Sequence, residues 1–225
     1  MVSRAAIIIA GGQGSRLGGI DKPQLSINGL SMRARVAGAA IAALGLPCRV
    51  VVVGADGSDL RAAPFTIDGV QTVRTLEEPR FSGPVAGLAA AVDELSDLGG
   101  EADVLVLGGD MPTLSAELLQ HVLGEGADGS APADSTAVRG IEDSSGHLQF
   151  LCAAWPLGVL RTTLNEVRGN GGDWMGLSLR RLYGQLAPAR LTIRPALDGV
   201  DDAVSDVDTA EDLQRARIAV ERTTP

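Results

Sequence analysis

Near its start the chain carries an unbroken apolar run, Ala5-Ala6-Ile7-Ile8-Ile9-Ala10. Comparable runs recur at about 49–54, 70–75 and 103–108, and segments with helical spacing of apolar residues lie near 31–45, 84–96 and 115–123. Short β-branched runs alternating with longer helical patterns predict βαβ units around a parallel sheet. All four runs read as apolar on both faces, so the spacing predicts buried central strands rather than edges. After about residue 127 the alternation loosens. Gly, Ser, Asp and Pro are frequent through 140–146, then Leu148–Trp155 resumes a strand-like run before a helix near 157–168. An antiparallel insertion beside the parallel sheet is expected there. A glycine-rich turn (Gly169–Gly172), a helix around 177–186, a strand at Arg190–Ile193 and a last helix from Thr209 complete the pattern. The expected fold is therefore α/β: a single Rossmann-like, three-layer domain over residues 1–220, with a loose tail at 221–225.

Composition narrows the function more than the fold. Of 225 residues, 45% are hydrophobic and only 3% aromatic, which leaves Val, Ile, Leu and Ala to build the core. A net charge of -9 argues against nucleic acid or an anionic membrane as a partner, because both demand a basic footprint. Cys48 and Cys152 are far apart and have no second pair of ligands, so they suggest neither zinc nor a disulfide framework. The first apolar run is too short for a signal peptide, and no stretch reaches about 18 apolar residues. The cytoplasm is the expected compartment.

In an acidic chain, cations beside a flexible glycine loop are informative. The first run leads into Gly11-Gly12-Gln13-Gly14-Ser15-Arg16-Leu17-Gly18-Gly19-Ile20-Asp21-Lys22-Pro23. So many glycines let backbone N–H groups approach phosphate oxygens. Arg16 can fork onto two oxygens, and Lys22 adds a point charge where negative charge develops in phosphoryl transfer. Two commoner loops do not fit. The dinucleotide fingerprint fails at Leu17, and a Walker loop fails because Ile20 follows Gly19.

The segment Ile9-Ala10-Gly11-Gly12-x-Gly14-x-Arg16-Leu17-Gly18-x-x-x-Lys22 closely resembles the signature of nucleotidyltransferases related to the molybdenum cofactor guanylyltransferases, and the Asp21-Lys22 pair looks like that subgroup. The resemblance implies a fold like that of the nucleotide-diphospho-sugar transferases. It also assigns nucleotide binding to Ile9, Ala10, Gly11, Gly12, Gly14 and Lys22, with Arg16 and Lys22 as catalytic cations.

Further along, Val104-Leu105-Val106-Leu107 runs into Gly108-Gly109-Asp110-Met111-Pro112, which places a carboxylate at the carboxyl end of a strand, where open α/β sheets bind ligands. A hard oxygen donor there suits Mg²⁺, and an Asp followed two residues on by Pro is similar to the family's metal site. Ser82-Gly83-Pro84-Val85-Ala86-Gly87 opens a helix and resembles a family motif beside the nucleotide, which implicates Gly83, Pro84 and Gly87. Upstream, Glu78 stands where the guanylyltransferases usually carry Asp, and the resemblance puts it at the nucleotide. Asp206 and Asp208 project from one side of an extended segment and are candidate metal ligands beside Asp110. Asp208 or Thr209 is also expected to cap the last helix, with Glu211 or Asp212 completing a capping box. The family often has Asn at 206 and 208 where relatives using CTP have Asp, so the base stays open. Ser178, Arg180 and Arg181 resemble the acceptor-binding region, although an exposed helix start accounts for both arginines equally well. His147 reads as an ordinary histidine at the head of a strand.

The implied reaction is attack by an acceptor phosphate oxygen on the α-phosphorus of an NTP, with pyrophosphate leaving. GTP as donor, molybdopterin as acceptor and Mg²⁺ as cofactor are what the resemblance favours. A related cytidylyltransferase acting on molybdopterin or another phosphorylated acceptor is one alternative. A non-catalytic nucleotide-binding regulatory module is the other.

Overall fold

The structure, a computed structural model, describes residues 4–11, 25–54, 59–124, 136–169, 172–194, 197 and 200–223. Its centre is a sheet of seven strands: β1 (Arg4–Ile9), β4 (Cys48–Val53), β5 (Val70–Thr75), β6 (Asp103–Gly108), β7 (Val138–Glu142), β8 (Leu148–Pro156) and β9 (Leu191–Arg194). They lie in the order β5-β4-β1-β6-β8-β7-β9. The first four are parallel, β8 is antiparallel to both β6 and β7, and β9 is parallel to β7. A two-stranded hairpin, β2 (Ser26–Ile27) and β3 (Leu30–Ser31), stands apart from the sheet. The expected antiparallel insertion is the β8 passage.

Alternation along the strands sorts the core into two layers, because successive side chains point to opposite faces. Ala6, Ile8, Val50, Val52, Leu105 and Leu107 pack against α1 (Met32–Leu44) and α3 (Ala116–Leu123). Ala5, Ile7, Val51, Val53, Val104 and Val106 pack against α2 (Pro84–Asp93), α4 (Leu157–Arg168) and α5 (Leu179–Tyr183). Local chemistry sets the helix ends: Ser31 accepts from Ala34 N–H (3.2 Å), Ser115 accepts from Leu118 N–H (3.1 Å), and Gly124 closes α3 in the left-handed region. A third, smaller cluster joins Ile27 and Met32 to Val207, Ala216 and Val220, so α7 (Ala210–Thr223) is packed onto the hairpin that follows the glycine loop.

Four details differ from the sequence expectation. The strand at 70–75 is an edge, not a central strand, because Gln71 and Arg74 are exposed on it. Among the helices, α2 ends at Asp93 and the segment at 177–186 contributes only the five residues of α5. α7 continues to Thr223, past Glu221 where a loose tail was expected. A short helix, α6 (Val200–Val204), and the β2–β3 hairpin were not foreseen. No helix among the described residues is long and apolar enough to cross a membrane.

Candidate functional site

The carboxyl ends of the parallel strands are joined turn to turn. Gly54 N–H donates to Thr75 O (3.1 Å), Ala10 N–H to Val53 O (2.9 Å) and Gly109 N–H to Ile9 O (2.9 Å). A methyl group on Gly109 would stand 3.0 Å from Ala10 Cβ, so the turn bearing Asp110 lies directly against the start of the glycine loop. Register enforces this, since Ile9 pairs with Gly108 in parallel alignment. Both turns therefore leave the same end of the sheet.

Asp110 is half-buried, and its Oδ1 would lie 3.0 Å from a Cβ on Gly108. Its main-chain carbonyl accepts from Val207 N–H (3.0 Å), and Val207 is buried in the cluster beneath α7. That one bond sets Asp206 and Asp208 on either side of the residue tied to Asp110. Asp206 is exposed and Asp208 partly buried. The three acids do not gather into a cluster of three metal-holding side chains; among the described residues no such cluster occurs. An all-oxygen set of one or two carboxylates nevertheless fits Mg²⁺, which keeps several waters and takes the rest of its shell from substrate phosphates.

The expected cap of the last helix resolves into Thr209 and Asp212. Asp212 Oδ2 accepts from the N–H groups of Asp208 (3.1 Å) and Thr209 (2.7 Å), while Thr209 Oγ1 accepts from Asp212 N–H (3.2 Å). The box therefore also holds the backbone of Asp208. The Thr209 hydroxyl, then burial opposing it and the two backbone donors, sets the Asp212 carboxyl below its ordinary value. A depressed folded-state pKa contributes stability that is present above the unfolded value and lost as pH falls through the folded one. Thr209→Ala is expected to cost about 1 kcal/mol in urea unfolding at neutral pH. The difference from the parent should shrink below about pH 4; a penalty independent of pH would exclude this box as its source.

Between the glycine turn and α2 lies a cleft of about 210 Å³ lined by Ile9, Gly11, Val53, Glu77, Phe81, Gly83, Pro84 and Gly87. Helix α2 begins with Pro84 after Gly83 and has no side-chain cap, so its first N–H groups stay available to an acceptor. A methyl on Gly87 would stand 3.0 Å from Val53 Cγ1, which explains the small residue there. Glu77 Oε1 accepts from Phe81 N–H (2.9 Å), leaving Oε2 at the cleft wall. Sequence reasoning placed Glu78 in this position. Glu77 lines this cleft and also an adjoining cavity of about 370 Å³, and exposed Glu78 lines that second cavity with Arg168 and Trp174. The chain bends at Glu78-Pro79 directly after Glu77, and the motif alone does not say which of the two acids reaches the cleft.

The remaining candidates are placed less decisively. Ser178 caps α5, its hydroxyl accepting from Arg181 N–H (3.3 Å). Arg180 and Arg181 are exposed and form no ion pair among the described residues. The segment does reach the cleft, because Gly176 N–H donates to Ser82 O (2.8 Å) and Leu177 O lies 3.7 Å from where a Cβ on Gly83 would stand. His147 is exposed in the β7–β8 turn, hydrogen-bonded to Ser145. Gly12, Gly14, Arg16 and Lys22 lie outside the described residues. A larger cavity of about 690 Å³ sits between α1 and α7, walled by Ala34, Gly38, Ile67, Thr113 and Val220. Neither Asp110 nor the glycine turn lines it, so chemistry rather than volume identifies the site.

Comparison with known proteins agrees with this geometry. Residues 6–188 match the family described as MobA-like NTP transferase domain. The chain is 33% identical over 152 residues to a molybdenum cofactor guanylyltransferase of Acidiphilium cryptum (strain JF-5), covering 68% of this chain and 66% of that protein. It is 30% identical over 177 residues to one of Cereibacter sphaeroides, covering 77% and 80%. The chain thus spans just under two thirds of the first of these curated relatives and more of the second. Among solved structures, a nucleotidyl transferase from Methanothermobacter thermautotroptrophicus superposes with a TM-score of 0.65 over 99% of both chains at 22% identity, which establishes the fold alone.

Proposed function

Since the chain belongs to the MobA-like NTP transferase domain family, we propose that it transfers GMP from GTP to the phosphate of molybdopterin and releases pyrophosphate. The observation that supports this reading is the contact between the turns leaving β1 and β6, which sets the turn bearing Asp110 against the start of the glycine-rich segment. The names of the relatives supply the donor and the acceptor.

In the proposed reaction an oxygen of the acceptor phosphate attacks the α-phosphorus, the bond from that phosphorus to the bridging oxygen breaks, and the electron pair leaves with pyrophosphate. The work left to the protein is positioning and charge stabilisation. Gly11, with Gly12 and Gly14, would present backbone N–H groups to the triphosphate. Arg16 and Lys22 would neutralise charge accumulating on the departing pyrophosphate. Asp110, with Asp206 or Asp208, would hold Mg²⁺, which when bound supplies charge neutralisation to the phosphate oxygens. Glu77, Gly83, Pro84 and Gly87 would enclose the nucleoside end. Ser178, Arg180 and Arg181, on the segment laced to Ser82, would meet the acceptor. The reaction is assigned to the cytoplasm, consistent with two buried, unpaired cysteines.

The test is pyrophosphate release from each of the four NTPs, with and without molybdopterin. Release with GTP that depends on the acceptor, disappears with EDTA and returns with Mg²⁺ is the expected result. Release with CTP alone would transfer the proposal to a cytidylyltransferase. NTP binding without turnover on any phosphorylated acceptor would reduce the chain to a nucleotide-binding module.

A further inference from the structure

Phe81 holds a backbone conformation that a bulky side chain rarely adopts. Its φ is 65°, inside the left-handed region where Gly and Asn are usual. The other non-glycine residue with positive φ among those described is Asn28, which sits in the tight turn between β2 and β3 and tolerates it. Phe81 is fixed from several directions: its N–H donates to Glu77 Oε1, the neighbouring Ser82 hydroxyl donates to Pro79 O (2.5 Å), and Ser82 O accepts from Gly176 N–H. Strain that the surroundings over-determine in this way marks functional positions.

What the strained turn displays is an aromatic ring. Phe81 lines the cleft beside Gly11 and Pro84, yet it is 60% exposed. The chain has few aromatic side chains, and the others all have occupants for their rings. Phe65 is in the core, Phe150 and Trp155 pack on Tyr183, and Trp174 lies beneath Arg168. Among the described residues Phe81 makes no ring or cation contact, and it lines the cleft that adjoins the glycine turn.

We infer that the Phe81 ring is a stacking platform for the nucleotide base and that it favours purine over pyrimidine. The inference rests on the reading that an NTP occupies this cleft. Stacking needs only a π-face on the base, so it strengthens with ring area, and a two-ring purine covers more of the phenyl group than a one-ring pyrimidine. The ring thereby bears on the choice between GTP and CTP, which the acids at 206 and 208 leave open. Glu77 serves as its positioning residue, through the hydrogen bond that holds the Phe81 backbone.

Calorimetric titration of GTP and of CTP, with Mg²⁺ and no acceptor, tests this on Phe81→Asn and Phe81→Tyr. Asparagine accepts left-handed backbone and so preserves the turn without the ring; tyrosine preserves the ring. Phe81→Asn should weaken GTP about ten-fold and CTP distinctly less, whereas Phe81→Tyr should bind both as the parent does. Equal GTP and CTP affinities in parent and Phe81→Asn would overturn the inference while leaving the proposed function standing. Equal loss for both nucleotides would overturn the purine preference. Failure of the parent to bind any NTP would instead sink the functional reading on which the inference depends.

Discussion

Asp110→Asn is expected to lower kcat for pyrophosphate release by about 10²–10³-fold while leaving thermal stability close to that of the parent. The asparagine has the same outline and keeps the main-chain carbonyl that accepts from Val207 N–H, so the segment carrying Asp206 and Asp208 stays docked. Only the charge is removed. A neutral amide is a far poorer ligand for a hard divalent cation than a carboxylate, so the loss falls on stabilisation of the transferring phosphoryl group. Loss of kcat together with a large drop in melting temperature would point to a structural role instead. Parental activity in Asp110→Asn would remove the acid from the mechanism, and with it the significance of the contact between the β1 and β6 turns.

How much of this could be read from the sequence depended on whether the signal was local. The runs that became β1, β4 and β6 are apolar on both faces because helices cover both sides, and each strand lies within a residue of its expected bounds. The helix α4 was legible to the residue, since Pro156 precedes it and Gly169 ends it. The run at 70–75 was recognised as a strand but misplaced as central; Gln71 and Arg74, both exposed, are the polar positions that mark its edge. Two-residue strands and five-residue helices are too short to show a period, which hid β2, β3 and α6 and left the expected bounds of α5 too wide. A dipeptide signal for the hairpin was nevertheless present. Asn28-Gly29 lies between Ile27 and Leu30, and both residues have the positive φ of a primed turn. At the site, Asp110 could be read because it leaves the carboxyl end of a strand. The bond from Val207 to its carbonyl joins residues almost a hundred positions apart, and no local pattern announces it. The same holds for Glu77 and Phe81, whose roles depend on which way one short turn points.

Gly54→Ala is expected to destabilise the fold by about 3 kcal/mol or more, measured by urea unfolding. A Cβ at Gly54 would stand 2.4 Å from Gly11 Cα and 2.7 Å from Gly11 N, and the φ of 84° is itself strained for alanine. Both obstacles are backbone atoms, so no rotamer change relieves them. Nor can the turns easily separate, because Ala10 N–H is bonded to Val53 O and Gly54 N–H to Thr75 O. Gly29→Ala isolates the conformational part of the penalty: its φ is 82°, but nothing lies within 4 Å of the added carbon. That variant should cost only about 1 kcal/mol. If Gly54→Ala proves no more costly than Gly29→Ala, the close approach of the two turns is wrong. If the clash is instead relieved by displacing Gly11, the variant should fold yet lose GTP binding, because the displaced segment begins the loop proposed to hold the triphosphate. Stability and nucleotide affinity are therefore expected to be coupled at Gly54: the glycine-to-glycine contact at the carboxyl ends of β1 and β4 also sets where the loop proposed to hold the triphosphate starts.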